Sequence, residues 1–189
     1  MSADPARTLR EARDAYFAAH LLPPDGGYGE RWVKLRIGPL PFAFPNTGGR
    51  RRAVPFHDLH HVLTGYATDL VGEAEIAAWE IGSGCRHVRT ALHLDLRVLG
   101  FLLPRRPRTL FRAFLRGRNS RNLYRARYDE ALLARSVASA REELGLDREL
   151  PPARPADRRA FAGWAALALG LVWGPLVPLA LLGWWLVAR

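Results

Sequence analysis

Residue types that commonly bind metals are concentrated in one short stretch of the chain. The segment PFHDLHHVLTGYATDLVGEAEIAAWE, residues 55–80, contains three histidines and several carboxylates. His57 and His61 are four residues apart, so on a helix they lie one turn apart on the same face and can share an ion. Asp58 follows His57 directly and could reach the same ion from the side. Two histidines with carboxylates suit zinc, iron or manganese.

A further ligand must come from the segment that follows the histidines. Gly65 and Gly72 favour a turn, and a second helix is expected to begin near Glu73. A helix–turn–helix that returns antiparallel would bring Glu73 over the face that carries the two histidines. Asp69, in the turn, is the less favoured candidate. Glu80 lies two turns after Glu73 on roughly the same face, which predicts a hydrogen bond from a ligand imidazole to Glu80.

Other interpretations of the histidine-rich segment remain open at this point. His60 points about a hundred degrees away from His61 on a helix, so it is predicted to lie outside the ligand set, as Glu80 does. The string HDLHH also matches the H-x-x-H-H box of membrane desaturases, and histidine–aspartate pairs occur in nucleotide phosphohydrolases. Both classes need further histidines on other helices, whereas the remaining histidines stand alone at His20, His87 and His93. A polar helix with solvated histidines is the alternative without chemistry.

The composition is strongly basic. The chain has 189 residues, a formal net charge of +10 and a pI near 11.0. An anionic partner such as a membrane surface would explain this charge. Since Lys34 is the only lysine, arginine enrichment from a GC-rich genome explains the charge equally well. Basic residues without interleaved aromatic residues make a nucleic-acid partner the least favoured, and a single cysteine, Cys85, excludes an intramolecular disulfide.

Hydrophobic periodicity predicts an all-α, mainly helical protein. Residues 1–148 are expected to form one helical domain, and residues 149–160 a linker rich in proline and arginine. The segment RWVKLRIGPLPF alternates enough to be extended, but its prolines argue against a long central strand. Helices are predicted at residues 5–20, 56–66, 73–82, 86–103, 107–117 and 120–145.

The C-terminal segment is predicted to form a single transmembrane helix. Residues 161–187 contain no charged residue, and a helix of that length measures about 40 Å against roughly 30 Å of hydrocarbon. Trp164 at one end, with Trp184 and Trp185 at the other, would lie at the two interfaces. Arginines precede the segment, so the positive-inside rule predicts a bacterial inner-membrane protein with its large domain in the cytoplasm. The alternative is a buried or surface-lying hairpin broken at GPLVP.

A second membrane contact is predicted in the segment PRRPRTLFRAFLRGRN. On a helix, Arg105, Arg108 and Arg112 share one face, whereas Phe111 and Phe114 lie on the opposite face. This pattern is typical of a basic interfacial helix. An ordinary helix with a core-facing side and a solvated arginine face fits the pattern equally well.

The metal-binding residues, taken together, resemble those of the Coq-four family of ubiquinone (coenzyme Q) biosynthesis proteins. His57, Asp58 and His61, followed after eleven residues by Glu73, match the family's H-D-x-x-H-x11-E signature. The downstream stretch RGRNSRNLYRARYDEALLARSVASAREELGL is similar to the family's C-terminal block. The similarity runs from about residue 28 to residue 146, and the C-terminal membrane span would be an addition to the family pattern.

The resemblance implies a mainly α-helical fold and a divalent metal, usually zinc, with iron, manganese or cobalt as other choices. His57, Asp58, His61 and Glu73 would be both the metal ligands and the catalytic residues. It also implies a prenylated quinone precursor or other isoprenoid lipid as ligand, a place at the membrane, and association with other quinone-biosynthesis enzymes. A homodimer is compatible with these features.

The resemblance implies an activity as well. The proposed reaction of the family is an oxidative decarboxylation of the quinone-precursor ring, in which the carboxyl at carbon one leaves and a hydroxyl takes its place. The alternative is a non-catalytic scaffold that binds prenyl lipids and organises the enzymes of the pathway.

Overall fold

The computed structural model describes residues 4–37, 40–176, 178 and 184–186. Within these ranges the chain is mainly helical, as predicted, with one added β-hairpin. The helices are α1 (Leu9–Ala19), α2 (Gly48–Thr64), α3 (Leu70–Ser83), α4 (Arg89–Leu102), α5 (Pro107–Arg118), α6 (Glu130–Leu133), α7 (Val137–Leu144) and α8 (Pro155–Trp173). A short 3-10 turn, Cys85–His87, precedes α4.

The predicted extended segment, residues 31–42, covers the first strand of that hairpin and the start of the second. Strands β1 (Trp32–Ile37) and β2 (Leu40–Pro45) pair antiparallel, with Trp32 opposite Pro45 and Arg36 opposite Pro41. Among the described residues each strand has one neighbour, so neither is a central strand, as predicted. Proline is tolerated in such strands because its missing N–H can face the open edge.

Helix α3 lies between two clusters of buried apolar residues. Ala74, Ala78 and Ile81 belong to a cluster with residues of α4, α5 and α8. Ile76 and Trp79 belong to a second cluster with residues of α1, α2, α6 and α7. A helix that is covered on two sides must be apolar around most of its circumference. This requirement explains why the sequence of α3, LVGEAEIAAWEIGS, contains few polar residues.

Helix α1 begins later than the sequence predicted because a capping box fixes its start. The Thr8 hydroxyl accepts a hydrogen bond from the backbone N–H of Glu11, whose carboxylate accepts one from the backbone N–H of Thr8. Thr8 also pairs with Ser136 in an isolated β-bridge. The backbone N–H of Val137 donates to the carbonyl of Arg7 at 2.8 Å. These bonds tie the start of α1 to the start of α7.

The prediction of one long helix over residues 120–145 is wrong. The structure has two short helices there, α6 and α7, which begin at the N-cap side chains of Asp129 and Ser136. The stretch before α6 is irregular, and in it the backbone N–H of Leu123 donates to Nε2 of His60 at 2.9 Å. A helical backbone would direct that N–H to its own carbonyls, so this tertiary contact competes with the helix.

The prediction of a C-terminal transmembrane helix is also contradicted. Among the residues that the structure describes, no helix is both long enough and apolar enough to cross a membrane. The uncharged part of α8, residues 161–173, is about 20 Å long at 1.5 Å per residue, against roughly 30 Å of hydrocarbon. The parts of the predicted span at 177, 179–183 and 187 lie outside the described residues.

One side of α8 packs closely on α4. Ala168 is fully buried, and its carbonyl oxygen would lie 2.3 Å from a Cβ placed on Gly100. Only glycine permits such a close approach of the two backbones. Near the end of α8, the indole N–H of Trp173 donates to the carbonyl of Gly100 at 3.0 Å. The rest of the helix is less covered, since Leu167 and Trp173 are exposed.

Helix α5 has a core-facing side and an exposed arginine side. Phe114 is buried, and the rings of Phe111 and Phe114 lie 5.2 and 5.3 Å from the ring of Phe161 in α8. Phe114 is therefore part of the core and unavailable to lipid, whereas Phe111 remains partly exposed. The other residues predicted to contact the membrane are exposed: Arg108 and Arg112 lie on α5, and Arg105 lies just before its start.

Candidate metal centre

His57, His61 and Glu73 come together where α2 and α3 meet. The Nε2 atoms of the two histidines are 3.2 Å apart. Oε2 of Glu73 lies 3.5 Å from Nε2 of His57, and its Oε1 lies 3.4 Å from Nε2 of His61. At metal–ligand distances of about 2.0–2.2 Å, the corners of a tetrahedron are roughly 3.3–3.6 Å apart, against roughly 2.8–3.1 Å for neighbouring corners of an octahedron. These separations lie close to both ranges, so the three side chains could hold one metal ion.

The turn predicted from the sequence returns Glu73 to the histidines. Gly65 ends α2 in the left-handed region, with φ 77°. The carboxylate of Asp69 accepts a hydrogen bond from the backbone N–H of Gly72 at 2.8 Å and caps α3. A Cβ on Gly72 would lie 2.1 Å from the carbonyl oxygen of Ala67, so the turn closes only with glycine there. Glu73 follows in the first turn of α3, and Asp69 serves as a cap.

Both ligand histidines are held in the tautomer that a metal requires. Nδ1 of His61 lies 3.0 Å from the carbonyl oxygen of Tyr66, which can only accept, so this nitrogen carries the proton. Nδ1 of His57 lies 3.0 Å from Oε1 of Glu80 and donates in the same way. The two Nε2 atoms are directed towards each other, and the gap between them can hold a shared proton or a metal ion. Metal-binding histidines are typically oriented by such bonds on their second nitrogen.

The electrostatics of the group favour a cation. Burial disfavours a charged His57 ring, but the carboxylates of Glu80 and Glu73 outweigh it and raise the pKa of His57 well above its usual value. Burial would likewise raise the pKa of Glu73, but hydrogen bonds and charge from His57 and His61 lower its pKa to about 2. The side chains of His57 and Glu73 remain 23% and 36% exposed, so an ion can reach them.

Glu80 is fully buried and organises the polar groups behind the ligands. Its Oε1 accepts from Nδ1 of His57 at 3.0 Å and from Nδ1 of His60 at 2.6 Å. Its Oε2 accepts from the hydroxyl of Tyr124 at 2.8 Å. Burial opposes the charged carboxylate, but the two histidines lower the pKa of Glu80 well below its usual value. The bond from the His57 imidazole to Glu80 is the one that the helix spacing predicts.

His60 is a structural part of this network. It is fully buried, and its Nε2 accepts the backbone N–H of Leu123, while its Nδ1 donates to Glu80. Both ring nitrogens are thus occupied, and burial lowers the pKa of His60 so that the ring stays neutral. The sequence placed His60 outside the ligand set, but gave no sign that it is buried and joins α2 to the irregular stretch before α6.

Two further buried groups lie next to Glu80. The thiol of Cys85 donates to Oδ2 of Asp95 at 3.4 Å. Burial and the charge of Glu80 raise the pKa of Asp95 well above its usual value. His57, Glu80 and Asp95 also offer ligand atoms within 4.8 Å of one another, but hydrogen bonds already account for this arrangement. The sequence signal for Asp95 is a lone carboxylate in the apolar run ALHLDLRVLGFLL.

The structure does not bring Asp58 into the three-residue group. Asp58 is buried, and its Oδ2 accepts a hydrogen bond from the hydroxyl of Tyr28 at 2.7 Å. Burial raises the pKa of Asp58, although the charges of His57 and His61 act in the opposite direction. Asp58 thus lies beside the ligands and ties the loop before β1 to α2. No sequence signal indicated Tyr28, because its contact spans thirty residues.

A cavity of about 500 Å³ adjoins the metal-binding group. His61 lines this cavity, together with apolar side chains of α1 and α2 and the two rings of Tyr16 and Tyr66. Arg7 and His20 line it as well. A cavity of this size is typical of small-molecule sites. The metal position and a ligand pocket are thus neighbours.

Comparisons of this chain with protein-family models, with curated proteins and with solved structures found no match. The resemblance to the Coq-four family therefore depends on the quoted residues and their spacing.

Proposed function

We propose that this protein is a metal-dependent enzyme of ubiquinone biosynthesis. The substrate would be a prenylated aromatic acid, whose carboxyl at carbon one leaves as carbon dioxide and is replaced by a hydroxyl. The observation that carries the proposal is the convergence of two Nε2 atoms, from His57 and His61, with the carboxylate of Glu73 beside a cavity. The H-D-x-x-H-x11-E spacing supports the choice of pathway.

The residues present fit one divalent ion, and zinc is the ion that the family resemblance favours. The two Nε2 atoms lie 3.2 Å apart, a spacing that either a shared proton or a metal ion can bridge. When bound, the ion would act as a Lewis acid that holds an anionic oxygen and stabilises negative charge. Replacement of the carboxyl by a hydroxyl consumes dioxygen and two electrons and releases carbon dioxide and water, so a redox partner would have to supply the electrons with either ion. Iron(II) is the second choice of ion, because two histidines and one carboxylate are a common ligand set for it.

The chain's own groups supply orientation and shielding from water. Glu80 and the carbonyl of Tyr66 fix the two imidazoles, which preorganises the ligands before any ion arrives. The cavity walls include Ala12, Ala15 and Val62, which offer an apolar surface to an aromatic ring and the first carbons of a prenyl tail.

A prenyl tail would make the substrate a membrane lipid. We therefore also propose that the protein works at the cytoplasmic face of the bacterial inner membrane, beside other enzymes of the pathway. The exposed arginines Arg108 and Arg112 on α5, with Arg105 just before it, would suit anionic headgroups.

Metal content tests the centre directly. The full chain, His61→Ala and Glu73→Ala would be analysed by plasma mass spectrometry after purification and after reconstitution with zinc or iron(II). Glu75→Ala is the matched control, since Glu75 lies on the same helix but faces Arg112 and Arg116. We expect near-stoichiometric metal in the parent and the control, and its loss from the two ligand variants with helicity retained. A well-folded parent without metal after reconstitution would refute the centre.

Turnover tests the reaction. The metal-loaded parent would be incubated with a prenylated 4-hydroxybenzoate that carries an isotopic label in its carboxyl, and released carbon dioxide would be counted. We expect release from the parent and from Glu75→Ala, and none from Glu73→Ala. Metal binding and lipid binding without release would instead favour the scaffold role.

A further inference from the structure

One tyrosine beside the metal-binding group has no hydroxyl partner. The chain has five tyrosines, and four of them are engaged through their side chains. Tyr28 donates to Asp58 and Tyr124 to Glu80, Arg13 donates to the hydroxyl of Tyr128, and Tyr66 interacts with Arg116. Within the described part of the chain, the hydroxyl of Tyr16 makes no hydrogen bond, although the residue is partly buried.

The backbone holds Tyr16 in a fixed position over a metal-binding residue. Its helix, α1, is capped at its start and tied to α7. The Tyr16 ring lies nearly parallel to the ring of His61, with centroids 5.9 Å apart and an angle of 19°. Both residues line the same cavity. A ligand that enters this cavity to reach the metal position would therefore pass Tyr16.

The carboxylates of the site are engaged with groups other than Tyr16. That of Asp58 is hydrogen-bonded to Tyr28, and that of Glu73 faces His57 and His61. Among the described residues the Tyr16 hydroxyl is therefore left as a donor without a protein acceptor.

We propose that the Tyr16 hydroxyl donates a hydrogen bond to an oxygen of an anionic ligand, a carboxylate or phenolate, at the open position of the metal centre. This inference rests on the metal centre of the proposed function and assigns it a ligand-binding residue outside the H-D-x-x-H-x11-E signature. A neutral donor at this point selects an acceptor oxygen without adding a charge to the apolar cavity. It would act together with the metal on the same ligand head group.

The test uses the full chain loaded with cobalt(II), whose visible absorption reports the coordination of the ion. Benzoate is the probe, because it is a small aromatic carboxylate that suits the volume of the cavity. Tyr16→Phe removes only the hydroxyl and keeps the ring over His61. Tyr128→Phe is the matched control, because it removes a tyrosine hydroxyl outside the site. Circular dichroism and a melting curve of each variant check the fold.

We expect benzoate to shift the cobalt spectrum of the parent and of Tyr128→Phe with affinities within about twofold of each other. In Tyr16→Phe the affinity should fall by about tenfold or more, as for the loss of a hydrogen bond to a charged group, while cobalt remains bound. Equal benzoate affinity in Tyr16→Phe and the parent would overturn the inference. A cobalt-loaded parent whose spectrum does not change with benzoate would also overturn it. Loss of cobalt from Tyr16→Phe would overturn it as well, because Tyr16 would then have a packing role. A parent that binds no cobalt would refute the metal centre itself and the inference with it.

Discussion

Replacement of Glu80 by glutamine should weaken metal binding without unfolding the protein. Glu80 accepts hydrogen bonds from His57, His60 and Tyr124 in a fully buried position. The amide oxygen of glutamine can take the place of Oε1 and keep both histidine bonds. The amide nitrogen then faces the hydroxyl of Tyr124, which can rotate and accept. The substitution therefore removes the negative charge and leaves the network closed.

The size of the effect follows from this geometry. Removing a carboxylate that orients a metal-binding imidazole typically costs 10–100-fold in metal affinity, or about 1.4–2.7 kcal/mol. The unfolding free energy of the metal-free protein should change by less than about 2 kcal/mol, because weaker bonds are offset by the lower cost of burying a neutral group. Alanine would be a poor choice, since it leaves three buried donors without an acceptor at about 1–3 kcal/mol each.

The assay is a competition for zinc between the protein and a chromophoric chelator, with urea denaturation of the metal-free protein beside it. Glu75→Gln is the control, since Glu75 lies on the same helix away from the ligands. Glu80 favours a proton on His57 as well as a bound metal, and the proton competes with the metal at low pH. The loss of metal affinity in Glu80→Gln should therefore be largest at high pH, where His57 is no longer protonated. Metal affinity of Glu80→Gln within about twofold of the parent at every pH would refute the orienting role of Glu80.

Three further predictions follow from the structure. Asp58→Asn should keep its metal, and loss of metal from this variant would make Asp58 a ligand. Tyr28→Phe should lower the unfolding free energy, measured in urea, by about 1–3 kcal/mol, because the buried carboxylate of Asp58 then lacks a donor. Zinc affinity, measured by the same competition, should fall as the pH falls, by about tenfold per pH unit for each proton displaced, since the pKa of His57 is raised above its usual value. An affinity independent of pH between 8 and 6 would contradict this sign. Gly100→Ala should destabilise the protein by about 1–3 kcal/mol in thermal melts, because its Cβ would meet the backbone of α8. Gly163→Ala, which meets nothing within 4 Å, should be neutral or slightly stabilising, and equal effects of the two would contradict the packing of α8.

The wrong prediction at the C-terminus shows a limit of hydropathy. Part of the uncharged run 161–173 is covered by α4 and α5, with Ala168 against Gly100 and Phe161 against Phe114, whereas Leu167 and Trp173 are exposed. A helix face that is covered by protein and one that is covered by lipid exclude charge for the same reason, the cost of removing it from water. Composition records that cost but not which partner covers the face. The arginine-rich helix α5 was ambiguous for the same reason.

Local chemistry determined the helical class and the core of the candidate site. The i, i+4 spacing of His57 and His61 and the glycines of the turn act over a few residues, so the sequence alone predicts that Glu73 returns to the histidines. Only the tertiary structure decided the rest, because those contacts join residues far apart in the chain. In the folded protein Asp58 accepts a hydrogen bond from Tyr28, and His60 is buried between Glu80 and the backbone of Leu123. The ring of Tyr16 lies over that of His61. In each case a buried polar group takes the partner that packing provides, and no local pattern encodes that choice.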